Sequence, residues 1–492
     1  VKLYTLTLDD FPFWLRFAHF INLIFITLLI RSGIEILSAL PKFYWHDSAT
    51  PGTEWIRFTK KRFPPDIKDR VWISLEEEES FSSWVALPGH KNLGLGRHWH
   101  FFSIIFWIAN GAAYYILLFT SDEWHRLIPT SWSIFPGALH TGLMYLSLHF
   151  PPDNPYDPIQ KLSYFVVVFI LGPFIIATGA AMSPAIGARF PRYPRIFGGR
   201  QVARSLHFLG MCIFVLFLVA HISMIIIDGF PDNMGNMFLG RPTYVSQAIG
   251  IFAFFVVVVV VVHVLATRYS LKKPRLIQNK LGAVIEPIRH ALFGRIVSRQ
   301  EYSKPDVTPF FRANGYPPDT QAYKDLLENN FTNWRLQVHG LVEEPLELSL
   351  PELHTMKKEI QITEHSCIQG WTAIGEWGGL PMNYLISQCK PLPQTRYVVY
   401  YSYQYTDGAQ FYEVIDIELA RHHQTILAYE MNGEPLSVPH GAPLRLRVET
   451  QLGFKMVKWL KSIEFVSDYK RIGMGQGGHR EDHMYYGIGA GI

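Results

Sequence analysis

Four histidines in this chain, His19, His100, His207 and His221, lie inside or at the start of long apolar runs. An ionisable ring in a bilayer helix is costly and is a functional candidate by default. His207 and His221 are 14 residues apart. In an α-helix, 14 steps of about 100° return within about 40° of the starting face and rise roughly 21 Å. Two imidazoles on one face, one per leaflet, suit two stacked haems, each needing a second imidazole at its own depth. With helix direction alternating, His19 falls level with His221 and His100 with His207. Imidazole on both axial positions makes a haem that carries electrons instead of binding oxygen. His98, two residues from His100, is the rival ligand at that depth.

The second chemical feature is sparse. Only three cysteines occur, Cys212, Cys367 and Cys389, with no CxxC pair. A disulfide framework, a structural zinc site and a cysteine-ligated iron–sulfur cluster are therefore unsupported. Cys367 stands in Glu364-His-Ser-Cys367-Ile-Gln-Gly-Trp371-Thr-Ala-Ile-Gly-Glu-Trp377, amid glycines and aromatics that can shape a pocket. His365, Trp371, Glu376 and Trp377 are its candidate walls. Glu376 reads equally as a proton donor or as a solvated loop carboxylate.

These residues need elements to hold them. Five segments, near 17–38, 99–119, 161–182, 205–227 and 246–267, are apolar enough to cross a bilayer, which takes about 20 helical residues. The last contains seven consecutive valines, Val256 to Val262. A sixth stretch, 132–150, is interrupted by Pro136, His140 and His149 and reads as an interfacial helix. His140 and His149 are quinone-donor candidates or plain interfacial histidines; His263 reads as a polar-boundary residue. Lys and Arg crowd the 41–97 loop, the 183–204 loop and the stretch after 267, while the 121–160 and 228–245 loops are poor in them. The positive-inside rule then predicts a cytoplasmic C-terminal region and an outer N-terminus. No cleavable signal peptide and no twin-arginine pair before the fifth span is read. Net charge of +4 without a basic block argues against nucleic acid.

After the spans, 268–304 reads as a basic, irregular linker. Residues 305–470 mix β-like runs (334–340, 396–403, 444–450) with Asn432-Gly433 and Asp407-Gly408 turns, which predicts an α+β domain rich in strands. The glycine-rich tail, 471–492, shows no recognisable element.

Arg16-Phe-Ala-His19, Arg97-His-Trp-His100-Phe and Arg204-Ser-Leu-His207-Phe repeat an Arg-x-x-His helix start. With Tyr156-Asp-Pro-Ile-Gln-Lys161, they resemble the formate-dehydrogenase gamma-subunit and hydrogenase cytochrome b family over roughly residues 10–230. The resemblance implies the same histidine pairing and a quinone site near one haem. That family has four helices and an inner N-terminus, against the five spans and the orientation read here.

The Cys367 segment is similar to the sulfite-oxidase-fold molybdopterin proteins, especially the methionine-sulfoxide reductase catalytic subunit. There a Cys-x-x-x-Trp stretch supplies a thiolate to molybdenum, which implies Cys367 as the metal ligand; a soft, deprotonated sulfur suits such a metal. Asn432-Gly-Glu-Pro-Leu-Ser-Val-Pro-His440-Gly-Ala-Pro-Leu-Arg445 and then Gly453-Phe454-Lys455 look like the family's second pterin-binding stretch. Cationic donors there suit a phosphate. Asn314 and Ser402 occupy the places of two further cofactor contacts, and Lys458 is an alternative to Lys455. Sulfite oxidases follow their cysteine with an arginine-bearing segment. None follows here, which disfavours sulfite and favours a neutral or zwitterionic substrate. His479 and His483 are spaced for a metal only if helical, and the surrounding glycines argue against a helix.

The chain thus reads as a multi-domain protein: an all-α transmembrane bundle of about five spans (1–267), a linker, and an α+β sulfite-oxidase-fold molybdopterin domain. The cofactors are molybdopterin and two b haems, His100–His207 proximal to molybdenum and His19–His221 distal. It is placed in the plasma membrane, with quinone or quinol and a small molecule as partners and a homo-oligomer left open. The expected activity is quinol-dependent reduction of an S-oxide or N-oxide. The alternatives are a dehydrogenase delivering electrons to quinone, or a non-enzymatic electron-transfer cytochrome.

Overall fold

The computed structural model describes residues 11–63, 72–147, 157–227, 229–293, 301–487 and 490–492. His149 and Tyr156 lie outside the described residues. By contact the chain separates into two compact units that do not follow its linear order. One gathers the chain up to Gly33 with Trp99–Ala180 and Arg204–Lys273; the other gathers Ile34–His98, Ala181–Ala203 and Pro274–Ile492.

The first unit is helical. Five helices are long and apolar enough to cross a membrane: α1 (Phe13–Ala39), α2 (Leu93–Thr120), α4 (Pro158–Ala181), α5 (Arg200–Ile227) and α6 (Val245–Lys272). Between α2 and α4 runs α3 (Ile134–Leu146), whose 13 residues reach only about 20 Å, short of the roughly 30 Å bilayer core. The helix α4 starts at Pro158, with the Asp157 side chain accepting from the amides of Ile159 and Gln160, a proline and cap placement that suits a helix N-terminus. It carries a π-helical stretch at Val166–Leu171. Val257, Val260 and Val264 on α6 are more than half exposed, as expected of side chains that face lipid. Some polar contacts inside the bundle join different helices. Trp107 donates to Asn22 at 2.5 Å, and Asn110 to the Ala18 carbonyl at 2.9 Å. His263 bonds across helices: Arg31 donates to its Nδ1 at 2.8 Å and its Nε2 meets Thr27 Oγ1 at 2.9 Å.

The second unit is built on two sheets. The first has the order β2 (Leu346–Ser349), β1 (Arg335–Gly340), β10 (Leu460–Val466), β5 (Tyr397–Thr406), β6 (Ala409–Asp416), with β10 parallel to β1 and antiparallel to β5. The second runs β8 (Glu434–Pro435), β7 (Thr425–Met431), β4 (Thr372–Pro381), β3 (Glu359–Ser366), with β9 (Arg445–Val448) also on β7. Asp407-Gly408 and Asn432-Gly433 all have positive φ and turn β5 into β6 and β7 into β8, as tight hairpins require. The apolar core includes Trp334, Leu336, Tyr400, Leu427 and Ile463, all fully buried.

Two sequence expectations fail here. The linker is not irregular, because Pro274–Phe293 forms a 20-residue helix, α7. Leu281 and Ile285, four apart, are its buried residues; their spacing gives a buried helical stripe that the surrounding basic residues mask. The tail is also structured. Gly478 leads into α8 (His479–Met484), where His479, Glu481 and Asp482 are buried. Farther on, the Leu452 amide donates to the Ala490 carbonyl and the Ile492 amide to Thr450, both at 2.7 Å. Tertiary bonds supply what glycine's poor helix propensity lacks.

Candidate functional site

Cys367 follows the last residue of β3 and opens the turn into β4. Its amide donates to the Trp371 carbonyl at 3.0 Å, and the Gly370 amide donates back to Cys367 at the same distance. Gly370 sits at φ 109°, a conformation that favours glycine, so the turn itself explains the Cys-x-x-Gly-Trp spacing. Asn314 Nδ2 donates to the thiol sulfur at 3.4 Å, and the thiol faces Gln369 Oε1 at 3.6 Å. The same Gln369 oxygen accepts from Trp371 Nε1 and Ser74 Oγ, and its Nε2 donates to Glu78 at 2.6 Å. Burial, above all, pushes the Cys367 thiol up to about 11. Such a sulfur stays protonated until a metal cation displaces the proton.

The thiol is only 2% exposed, and its neighbours His365, Ile368, Gln369 and Trp371 line a cleft beside it. One end is aromatic and cationic, lined by Phe311, Asn314, His440, Arg445, Lys458 and Trp459. Lys458 Nζ donates to the carbonyls of Asn314 and Pro439. Burial first, then Arg445 and Arg480, push its pKa well below the usual lysine value. His440 is lowered to about 4 by burial, then by Lys458. Leu75, Glu78, Lys91, Arg480, Met484 and Tyr486 also line the cleft. Glu78 is the one carboxylate in the lining among the described residues, and burial raises its pKa.

The sequence-predicted residues are sorted by this geometry. Asn314, His440, Arg445, Gly453 and Phe454 line the cleft, with His365 and Trp371. Lys455 does not. It turns away into a buried ion cluster with Glu413, at 2.9 Å, and Glu481. Lys458 lines the cleft instead, three residues beyond the end of the short helix Gly453–Lys455. Ser402 is buried behind the wall, donating to the Lys458 carbonyl at 2.7 Å. Glu376 is absent from the lining and pairs with Lys304 at 3.4 Å. Trp377 is fully buried beneath Arg447 and Arg445, at 4.0 and 4.9 Å from its ring. The helical spacing of His479 and His483 does occur, with ring centres 4.4 Å apart. Among the described residues no group of three metal-ligating side chains forms there. Glu78, Lys91, Arg480 and Tyr486 are cleft residues that the sequence reading missed; no local pattern marks them.

A phosphate-bearing pterin fits the cationic end on chemical grounds. Asn314 Oδ1 and Arg445 Nε are buried without a hydrogen-bond partner. Buried polar atoms left so are costly, and a ligand rich in donors and acceptors would satisfy them. Asn314, His440, Arg445 and Lys458 would hold it, with Cys367 as the metal ligand.

Two pairs of histidines lie close together in the bundle. His19 and His221 have ring centroids 6.2 Å apart. Two imidazoles ligating one metal at about 2 Å each put their ring centres roughly 6 Å apart, so this pair fits a shared iron. His100 and His207 are close enough to interact electrostatically. Nδ1 of His207 meets the Ile175 carbonyl at 3.0 Å and that of His100 meets Ser32 Oγ at 3.1 Å. Such bonds on one ring nitrogen orient the other for a metal. Gly33 and Gly179 pack against these two rings. His98 instead bonds the Gly94 carbonyl of its own helix at 2.7 Å. His140 is exposed.

Residues 324–472 match the oxidoreductase molybdopterin binding domain, and residues 10–240 match the prokaryotic cytochrome b561 family. The chain is similar to YedZ1 of Azospira oryzae, named as a protein-methionine-sulfoxide reductase subunit, at 31% identity over 38% of this chain and 66% of that protein. It is also similar to MsrP, the protein-methionine-sulfoxide reductase catalytic subunit. In Campylobacter jejuni the identity is 28%, over 31% of this chain and 56% of the relative. In Xanthomonas campestris pv. campestris it is 32%, over 27% and 45%. The chain thus spans about half to just under two thirds of the length of these curated relatives.

Proposed function

With a prokaryotic cytochrome b561 domain and an oxidoreductase molybdopterin-binding domain joined in one membrane protein, we propose that the chain moves electrons from a quinol, through two b haems, to a small S-oxide or N-oxide. The observation that carries this reading is the buried Cys367 thiol, held by Asn314, next to a cleft lined by cationic and aromatic side chains. The names of the curated relatives point to a methionine sulfoxide as the S-oxide.

Molybdenum held by a pterin supplies two-electron oxygen-atom exchange when bound; the protein's part is geometry, access and protons. Reducing an S=O bond takes two electrons and two protons and releases water. Cys367 anchors the metal, with Asn314 donating to its sulfur. Arg445, Lys458 and His440 hold the pterin and its phosphate. Glu78 takes the proton-donor role expected of Glu376. Its carboxyl faces the cleft, Gln369 fixes one of its oxygens, and burial favours its protonated form. His19 with His221 and His100 with His207 would each hold one haem, which would supply one-electron transfer. The Lys/Arg bias supports a cytoplasmic enzyme unit, which protease accessibility of the C-terminal residues in sealed vesicles tests.

The deciding experiment mixes dithionite-reduced protein anaerobically with candidate oxides and follows the haem α-band. Reoxidation by an S-oxide or N-oxide is expected. Haems that no oxide reoxidises, but that a small donor reduces, would establish a dehydrogenase instead.

A further inference from the structure

The molybdopterin domain match ends at 472 and begins at 324, yet much of the cleft beside Cys367 is built from outside it. Ala39, Leu75, Glu78 and Lys91 come from one side of the chain, and Arg480 and Tyr486 from the other. Leu40 packs directly in the cluster that holds Cys367 and Trp371, and the thiol residue is only 2% exposed.

This roof is fixed. Arg312 donates to Glu77 at 2.8 Å and to the Ala49 carbonyl at 2.6 Å, and Glu77 also pairs with Lys42; all three charged side chains are buried. The Ser74 amide donates to Ala313 at 2.8 Å, and Gln201 Nε2 to Gly370 at 2.8 Å. On the tail side, Glu481 joins the Lys455 cluster, Arg275 donates to the Glu481 and Asp482 carbonyls at 2.8 Å, and Gln278 to that of Tyr486 at 2.7 Å. Opening such a roof means breaking buried ion pairs, which is strongly unfavourable.

Arg480 is the cation that the tail brings. Its guanidinium bonds Met484 Sδ at 2.8 Å and lies over the Phe411 ring at 5.6 Å. Among the described residues no carboxylate side chain forms an ion pair with it. It shares an electrostatic neighbourhood with Glu78 and Tyr486, and Tyr486 with Cys367. Arg480 thus brings a cation to the cleft lining from far along the chain.

We propose that the substrate is a small, freely diffusing oxide bearing a carboxylate or other anionic group, that Arg480 binds this group, and that methionine sulfoxide within a folded protein is excluded by the roof. The inference rests on the oxo-reductase reading for its chemistry but not for its binding site.

The test uses the full-length holoprotein. Haem reoxidation is followed with free methionine sulfoxide, with dimethyl sulfoxide, and with a folded protein carrying surface methionine sulfoxides. Calorimetry measures the binding of the two small oxides. Free methionine sulfoxide should react and bind best, and the oxidised protein should not exceed the blank. Arg480→Gln should lower the preference for the carboxylate-bearing oxide over the neutral one roughly tenfold or more, and Arg480→Lys should restore much of it. Molybdenum and pterin content should stay at the wild-type level. The proposal is overturned if the oxidised protein reacts as fast as the free compound, if Arg480→Gln weakens both small oxides equally, or if it loses the pterin, which would assign Arg480 to the cofactor. Should no oxide reoxidise the haems while charge-selective binding persists, the reductase reading fails and the anion site stands.

Discussion

Arg447 donates to Nδ1 of His365 across 2.9 Å while its remaining donors clamp Glu449 at 2.8 Å. A guanidinium has no acceptor, so His365 offers Nδ1 as a lone pair and carries its proton on Nε2. That side of the ring packs on Gly453, which leaves no room for a side chain there. Burial first, then Arg447, hold the His365 pKa well below its usual value. His365 is thus a fixed neutral donor at the cleft wall.

Replacing Arg447 with Met should remove that constraint and strand Glu449, a buried carboxylate. A loss of about 3–5 kcal/mol is expected, read from urea unfolding of the full protein. A change under about 1 kcal/mol would show the pair to be ornamental.

The pH dependence has a definite sign. The His440 pKa is lowered to about 4, against about 6.5 in the unfolded chain. Above that unfolded value both states are neutral and His440 contributes nothing to the slope. Below it the unfolded chain takes up a proton that the native site refuses, so stability falls with pH. By pH 5 the loss from His440 is about 2 kcal/mol, with His365 acting in the same direction. Thermal unfolding between pH 7 and 5 should show this, with a shallower slope in His440→Gln.

Cys367→Ser should keep both haems and lose molybdenum-dependent turnover, checked by metal analysis beside the haem spectrum. Unchanged turnover would remove Cys367 from the metal.

Haem content separates ligands from bystanders. His221→Ala and His207→Ala should each lower haem per protein from about two to about one, as bis-imidazole ligation requires. His98→Ala and His263→Ala should leave two, because their rings bond a helix carbonyl and Arg31 with Thr27 respectively. Pyridine haemochrome assays measure it.

The two lysines, 455 and 458, should fail differently. Lys458→Met is expected to weaken pterin retention with the fold intact. Lys455→Met leaves Glu413 and Glu481 buried together, costing about 3–5 kcal/mol, and should expose residues after 470 to limited proteolysis. Identical phenotypes would contradict the geometry that separates them.

How much of this was legible in the sequence follows from the range of the interactions involved. The five spans are local properties of composition, and helical rise with alternating helix direction was enough to set His19 level with His221. Cys367 was legible because its turn, with Gly370 and Trp371, is contained in five residues. Residues set by distant contacts were not. Lys455 and Lys458 differ only in which way the chain turns after Phe454. Glu78 and Arg480 reach the cleft through pairings more than 200 residues apart, such as Gln369 with Glu78 and Arg275 with Glu481. The helix α7 was hidden by its charge, although its buried stripe is periodic.

The three-part make-up of the sheet unit sets an order of manufacture. On a growing chain, residues 34–98 and 181–203 leave the ribosome long before the strands they pack with, and must wait in the company of membrane helices. The last wall to arrive is α8 and the residues after it, which bond Leu452 and Thr450. A nascent chain halted at residue 470 would have both sheets but an uncovered cleft. Until that last wall docks, the cleft lacks Arg480, Met484 and Tyr486, so its lining is complete only when the chain has folded through α8 and the residues after it.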